Sequence, residues 1–246
     1  MRYLCTVSYD GSHFFGFQRQ PRLRTVQGEI ERALKRIYGT AIDIHSSSRT
    51  DTGVHALEQI FHYDTEIEIP ESRLRHVLDG QLPEEISVLG LCRVPDAFHA
   101  RYDTVEKTYR YDILLSKEKQ IFKSRYALIY KKDLDIEAMR EASLLFLGKR
   151  DYAALMAAGS DKENTVREIR RMELVQQSPD TISLYISADG FLYHMVRIIV
   201  GALLDYCEGR KSLEELRIGL EERDRTVFRR TAPACGLYLI KINYRL

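Results

Sequence analysis

Apolar and polar residues alternate from Tyr3 to Tyr9, the period of a half-buried strand, and the run stops at the turn residues Asp10-Gly11-Ser12. An aromatic and polar stretch from His13 to Pro21 follows with no regular period. Beyond it the spacing becomes helical: Val26, Ile30, Ala33, Leu34 and Ile37 fall on one face, Thr25 has the hydroxyl of an N-cap, and Gly39 is a stop. Ile42 to His45 predicts a short strand, Gln59 to Asp64 another, Pro70 to Leu78 a helix, and Ile86 to Val94 a further strand. Strand, helix, strand, strand, helix, strand is an α+β order of the split βαβ kind.

The second half repeats much of this order. Tyr109 to Leu115 predicts a strand, Ile136 to Leu147 an amphipathic helix stopped by Gly148, and Val166 to Val175 with Thr181 to Ala188 a hairpin. Within Phe191 to Glu208 the core from Met195 to Leu204 is apolar nearly all round, the pattern of a helix covered on most sides. A short helix over Ser212 to Glu221 and a last strand over Leu237 to Asn243 complete the chain's pattern. No stretch rich in Pro, Gly or Ser separates the halves, so a shared sheet or a tight interface is expected between domains 1–104 and 105–246.

Composition narrows the class. With 246 residues, 44% apolar and 30% charged, the chain reads as a soluble globular protein with room for a substantial core. Cys5, Cys92, Cys207 and Cys235 lie far apart without zinc-ligand spacing, which predicts a reducing cytoplasm, mostly buried thiols and no metal. No apolar run reaches the length of a bilayer crossing and no signal-peptide core is seen, so no membrane association is expected. The net charge of +1 conceals islands: Arg19, Arg22 and Arg24 share a segment with no acid, Arg167, Arg170 and Arg171 cluster, and so do Arg223, Arg225, Arg229 and Arg230. Such islands are either a groove for a phosphate backbone or solvated surface charge.

Three places offer chemistry. In Ser48-Arg49-Thr50-Asp51-Thr52-Gly53-Val54-His55-Ala56 a carboxylate follows an arginine and precedes a glycine, which suits an active-site loop and equally a surface turn. Arg197 puts a guanidinium in an otherwise apolar helix, where it needs an anionic partner, either a core acid, Asp51 or a bound phosphate; His194 is expected one turn earlier on the same face, as a substrate contact or a core residue. Phe98-His99-Ala100-Arg101-Tyr102 and Lys107-Thr108-Tyr109-Arg110-Tyr111 interleave aromatic and basic residues, as where bases stack and phosphates are neutralised, or as in a strand with a tyrosine core face and a basic edge. No GxSxG, HExxH, Walker A or GxGxxG sequence occurs, so carboxylate, arginine and tyrosine would act without a cofactor.

Taken in order, these segments resemble the tRNA pseudouridine synthase A (TruA) family. The resemblance rests on Tyr9-Asp10-Gly11-Ser12 with Phe15-Gly16-Phe17-Gln18-Arg19-Gln20, on Arg49-Thr50-Asp51 with Gly53-Val54-His55-Ala56, on Phe98-His99-Ala100-Arg101 with Lys107-Thr108-Tyr109-Arg110-Tyr111, on His194-Met195-Val196-Arg197, and on Ala232-Pro233 with Gly236-Leu237-Tyr238-Leu239. It implies an α+β fold of two ferredoxin-like, split βαβ halves with mixed antiparallel sheets side by side, helices on the outer faces and a cleft between. It implies isomerisation of uridine to pseudouridine on the 3′ side of the tRNA anticodon stem-loop, by a homodimer that binds tRNA and needs no cofactor.

In that scheme Asp51 acts at the ribose C1′, as covalent nucleophile or by stabilising the charge that appears there. Tyr109 stacks on the base and helps remove the C5 proton, Arg197 pairs with Asp51, and Arg49 enters the space left by the flipped nucleotide. Arg19, Arg22, Arg24, His55, Lys107, Arg110 and His194 are the expected RNA contacts. Ser48 and Thr52 depart from the glycine and alanine usual at those places; Thr52 is expected to reach Asp51 with a hydrogen bond and to narrow the pocket, which bears on the uridine chosen.

Overall fold

A computed structural model of the chain describes residues 1–159 and 163–245. In chain order the elements are β1 (Arg2–Tyr9), α1 (Val26–Tyr38), β2 (His45–Ser46), β3 (His55–Asp64), α2 (Glu71–Gln81), β4 (Ile86–Val94), β5 (Thr104–Leu115) and β6 (Leu128–Tyr130). They continue with α3 (Ile136–Ser143), β7 (Gly148–Asp151), β8 (Val166–Ser178), β9 (Thr181–Ala188), α4 (Met195–Cys207), α5 (Leu213–Glu221) and β10 (Leu237–Tyr244). The elements form two units, Met1–Val105 with Tyr238–Leu246, and Glu106–Leu237.

In the first unit β1 is the spine of the sheet, antiparallel to β3 on one side and to β4 on the other, so that Cys5 lies opposite both Phe61 and Leu91. The far edge of β3 is shared: β10 runs parallel to it at His55 and Ala56, and β2 antiparallel at Phe61 and His62. Alternation along β1 buries Tyr3, Cys5, Val7 and Tyr9. Helix α1 starts where Thr25 Oγ1 accepts from Gly28 N and stops where Gly39 takes a left-handed φ of 76°, and it buries Val26, Ile30, Ala33, Leu34 and Tyr38. The strand expected over Ile42 to His45 shrinks to His45–Ser46. Ile42 and Ile44 are buried, but the amide of Ile44 turns to Glu31 Oε1 at 3.5 Å instead of joining a ladder.

Side chains, not a ladder, hold residues 95–103 of this unit. Arg2 Nη1 donates to the carbonyls of Asp96 and Phe98, each at 2.6 Å, while its Nε and Nη2 grip the Asp64 carboxylate at 2.8 and 2.7 Å. His62, 1% exposed, accepts at Nδ1 from Ala100 N at 3.1 Å, and Tyr244 OH donates to Ala100 O at 2.8 Å. Burial, aided by the charges of Arg2, His99 and His45, pushes His62 down from 6.5 to about 4. The unfolded chain therefore binds a proton between those values that the folded chain refuses, so the neutral ring's contribution is complete above 6.5 and lost as the pH falls to about 4. Urea unfolding at pH 7 and pH 4.5 is expected to show the wild-type chain losing about 2 kcal/mol more over that interval than His62→Gln, which keeps an acceptor but does not titrate.

In the second unit β5, β9, β8 and β7 form an antiparallel sheet, with β6 parallel to the end of β5. Tyr109 and Tyr111 are buried on β5, and Thr108 is buried too, its hydroxyl 2.9 Å from Ser187 Oγ. The helix expected over Ile136 to Leu147 ends as α3 at Ser143 and finishes in a tighter turn, Leu144–Phe146, because Leu147 is extended. Short β6 and β7 have no counterpart in the sequence reading. The expectation of mostly buried thiols is corrected: only Cys5 is fully buried, Cys207 and Cys235 are half-buried, and Cys92 at the sheet edge is exposed. Among the described residues no helix is long and apolar enough to cross a membrane.

Candidate active site

Between β2 and β3 the chain turns through residues 47–54, and both ends of that loop are pinned. Ser47 N donates to Ile60 O at 2.8 Å, and Gln59 Nε2 donates to Ser48 O at 2.8 Å. Gln59 is 0% exposed, so its amide depends on this pairing to offset the loss of water. Mid-loop, buried Thr50 places its hydroxyl 2.7 Å from Tyr9 OH, and its carbonyl accepts from Phe17 N at 3.0 Å. On the way out Val54 N donates to Asp51 O at 3.1 Å, closing a turn through Gly53 at a φ of 78°.

The aperiodic stretch after β1 is the wall against which this loop is built. A Cβ on Gly11 would lie 2.0 Å from Val54 O, and one on Gly16, whose φ is 82°, would lie 2.9 Å from Thr50 O. Glycine at these positions is what lets the two backbones touch. His55 closes the far side, accepting at Nδ1 from Gly11 N at 3.1 Å, 3.2 Å from Asp10 Oδ1, with its ring stacked on Tyr238. The result is a rigid backbone with Ser48 and Thr50 buried, Arg49 exposed between them, and Asp51 half-buried. Thr52 departs from expectation: it points to solvent, and among the described residues it makes no hydrogen bond to Asp51.

The second unit fixes Tyr109 and Arg197 by equally specific packing. Tyr109 meets Phe191 edge to face at 5.1 Å. Along α4 and its C-cap the positions Arg197, Gly201, Asp205 and Glu208 recur at helical spacing, and residues 230–232 lie along that stripe. Arg197 Nε donates to Ala232 O at 2.8 Å and Ala232 N to Arg197 O at 2.9 Å. Arg230 Nη1 reaches Asp205 at 3.0 Å and Glu208 at 2.9 Å. Burial alone would raise the Glu208 carboxyl, but hydrogen bonds from Lys132, Arg230 and Tyr130 hold it at about 2. Tyr111 OH, its pKa pushed up by burial, donates to Pro233 O at 2.8 Å, so β5 and α4 both grip residues 232–233.

Contrary to the expectation that it would lie one turn before Arg197 on the same helix, His194 stands just outside α4. It caps α4 from outside with a left-handed φ of 60°, which a right-handed helix cannot continue, and its ring leans on Tyr193 at 3.9 Å. Arg197 itself is half-buried.

The expected RNA contacts divide by their partners. Arg24 grips Glu85 with two hydrogen bonds, reaches Glu29, and lies 4.5 Å over the Phe14 ring, so its guanidinium serves the fold of its unit, as does His55. Arg19 is exposed and paired with Glu31 and Asp43. Arg22 and Arg49 are exposed, and their side chains make no hydrogen bond or ion pair among the described residues. Lys107 and Arg110 are half-buried, Arg110 pairing with Asp112 at 3.0 Å. In the later islands Arg170, Arg171, Arg223 and Arg230 each hold a carboxylate. Among the described residues no group of three or more His, Cys, Asp or Glu side chains is placed to hold a metal ion.

Comparison with known proteins adds a second, independent line. A model of the family described as tRNA pseudouridine synthase matches residues 6–103 and 142–245, so that Asp51 and Arg197 lie inside the matched stretches and Tyr109 between them. The chain is similar to tRNA pseudouridine synthase A of Geobacillus sp. (strain WCH70), 40% identical over 244 residues that cover 99% of this chain and 98% of that protein. It is similar to the protein of the same name from Listeria monocytogenes serotype 4b (strain CLIP80459), 40% identical over 99% of each. A third, from Staphylococcus carnosus (strain TM300), is 40% identical over 98% of this chain and 90% of its own length. Because the match runs through both units and takes in the Asp51 loop and the Arg197 helix alike, the chain belongs to the tRNA pseudouridine synthases, a family of isomerases.

Proposed function

We propose that the chain converts uridines on the 3′ side of the tRNA anticodon stem-loop into pseudouridine, with Asp51 as the reacting carboxylate. The observation that carries the reading is the Asp51 loop, which hydrogen bonds at both ends and two glycine contacts hold in one conformation. A carboxylate on a fixed backbone costs no reorganisation when the substrate arrives. The N1–C1′ bond breaks with its electron pair going to the base, and the Asp51 carboxylate either bonds to C1′ or stabilises the cation that develops there. The base then turns, and C5 bonds to C1′, displacing the Asp51 carboxylate with its electron pair where it had bonded there; the C5 proton then leaves to restore the ring.

Tyr109 stacks on the base and assists that last proton transfer, and Arg197 supplies positive charge whose direction its Nε bond to Ala232 O sets. Arg49 fills the gap left by the extruded nucleotide, a role supported by its exposed place between two buried neighbours. Arg19 and Arg22 contact the phosphate backbone, and the working enzyme is a cytoplasmic homodimer. Sequencing of RNA after pseudouridine-specific chemical labelling, from cells with and without this chain, is expected to show labels lost at those anticodon-stem uridines alone. Labels lost elsewhere would replace the target, and no lost label would overturn the reading.

A further inference from the structure

On the first unit four aromatic rings form a connected cluster that the proposed reaction does not use. His45 stacks on His62 with centroids 5.0 Å apart, His62 meets His99 at 4.7 Å, and Tyr102 leans on His99 at 4.2 Å. The cluster grades from core to solvent: His62 is buried, His45 is exposed, and Tyr102 is 75% exposed. An aromatic ring this bare has no share in the core, yet the ring beneath it is firmly set. His99 N donates to Asp103 Oδ2 at 2.7 Å, and His99 Nδ1 accepts from Arg101 N at 3.1 Å and Tyr102 N at 3.4 Å. Between these two rings in sequence, Arg101 is exposed, and its guanidinium makes no hydrogen bond or ion pair among the described residues.

The geometry points to a binding site for one unstacked nucleotide of RNA, its base on the Tyr102–His99 pair and its phosphate on Arg101. The inference rests on the reading of the chain as a tRNA-modifying enzyme and adds to it a subsite made of residues other than those of the Asp51 loop. A neutral stack is the right chemistry: burial, with the charges of His45 and Arg2, holds His99 below the ordinary imidazole range, so the ring offers a π face and not a cation. The patch has aromatic faces and a bare guanidinium, which match a base and a phosphate. Stacking of this kind accepts any base and so positions the RNA without reading its sequence.

The chain contains no tryptophan, so Tyr102→Trp makes a protein with one indole, at the site itself. Titration of this variant with an unmodified tRNA transcript is expected to quench its fluorescence in step with binding. Tyr102→Ala is expected to weaken tRNA binding about ten-fold while Tyr102→Phe stays within about two-fold, because the ring and not the hydroxyl does the stacking. Arg101→Gln should lower the slope of log affinity against log salt by about 0.7. Thermal midpoints should not move, since both side chains are exposed. Binding at wild-type affinity with an unquenched indole and an unaffected Tyr102→Ala overturns the subsite and leaves the tRNA reading standing. Failure of the wild-type chain to bind tRNA at all overturns both.

Discussion

Asp51→Asn is expected to abolish release of tritium from tRNA labelled at uridine C5 while leaving tRNA affinity and the thermal midpoint close to wild type. Isomerisation must expel the C5 hydrogen, so the label reports the whole reaction and not binding alone. The amide keeps the shape of the carboxylate, and the loop contacts made by Ser48, Thr50, Val54 and the carbonyl of residue 51 are unchanged by it. What it removes is the negative charge that the proposed reaction brings to C1′. Loss of an obligatory nucleophile or charge stabiliser is expected to slow the reaction by at least about a thousand-fold, roughly 4 kcal/mol of barrier. Single-turnover tritium release with enzyme in excess measures this directly. Activity retained within ten-fold would remove Asp51 from the chemistry, and a variant that binds tRNA but releases nothing separates an enzyme from an RNA-binding protein on the same fold.

Much of this loop's character lies outside its own nine residues. The sequence allowed either a turn or an active site there, because Arg49-Thr50-Asp51 with Gly53 carries local chemistry but not the partners that make it rigid. Those partners are distant along the chain: Gln59 is 11 residues on and Tyr9 is 41 residues back. Gly11 and Gly16 come from a stretch with no period at all, and only the approach of Val54 and Thr50 shows why they are glycine.

The same contrast separates the elements. Helix α1 was readable because Thr25, a one-sided apolar stripe and Gly39 are local signals, and β4 because its ends coincide with changes in pattern. Strands β2, β6 and β7 owe their existence to a neighbour's edge, and two to four residues carry no period. The parallel pairing of Tyr238 with His55 joins residues that no local pattern could connect. The arginine islands were visible as clusters, but the acids opposite them were not, and those acids decide which guanidinium groups are engaged in the fold and which stand in solvent.

Gly201→Ala is expected to destabilise the chain by about 2 kcal/mol and to lower activity further than that loss of stability explains. Two opposed effects meet at this position. Alanine favours a helix over glycine by about 1 kcal/mol, and Gly80→Ala in α2, where a Cβ would have nothing within 4 Å, should show that gain nearly in full. At Gly201 the same Cβ would lie 2.2 Å from Arg230 O and 2.8 Å from Arg230 C, backbone atoms that cannot swing aside as a flexible side chain can. Residues 230–233 must lift from α4, and that segment supplies the carbonyl that orients Arg197 Nε and the amide that bonds Arg197 O. The clash therefore reaches the guanidinium one turn away without touching it. Urea unfolding of the two alanine variants should give shifts of opposite sign. Tritium release under conditions where both stay folded should fall for Gly201→Ala and not for Gly80→Ala. If Gly201→Ala were as active as wild type at equal folded concentration, the grip of Ala232 on Arg197 would have no part in catalysis.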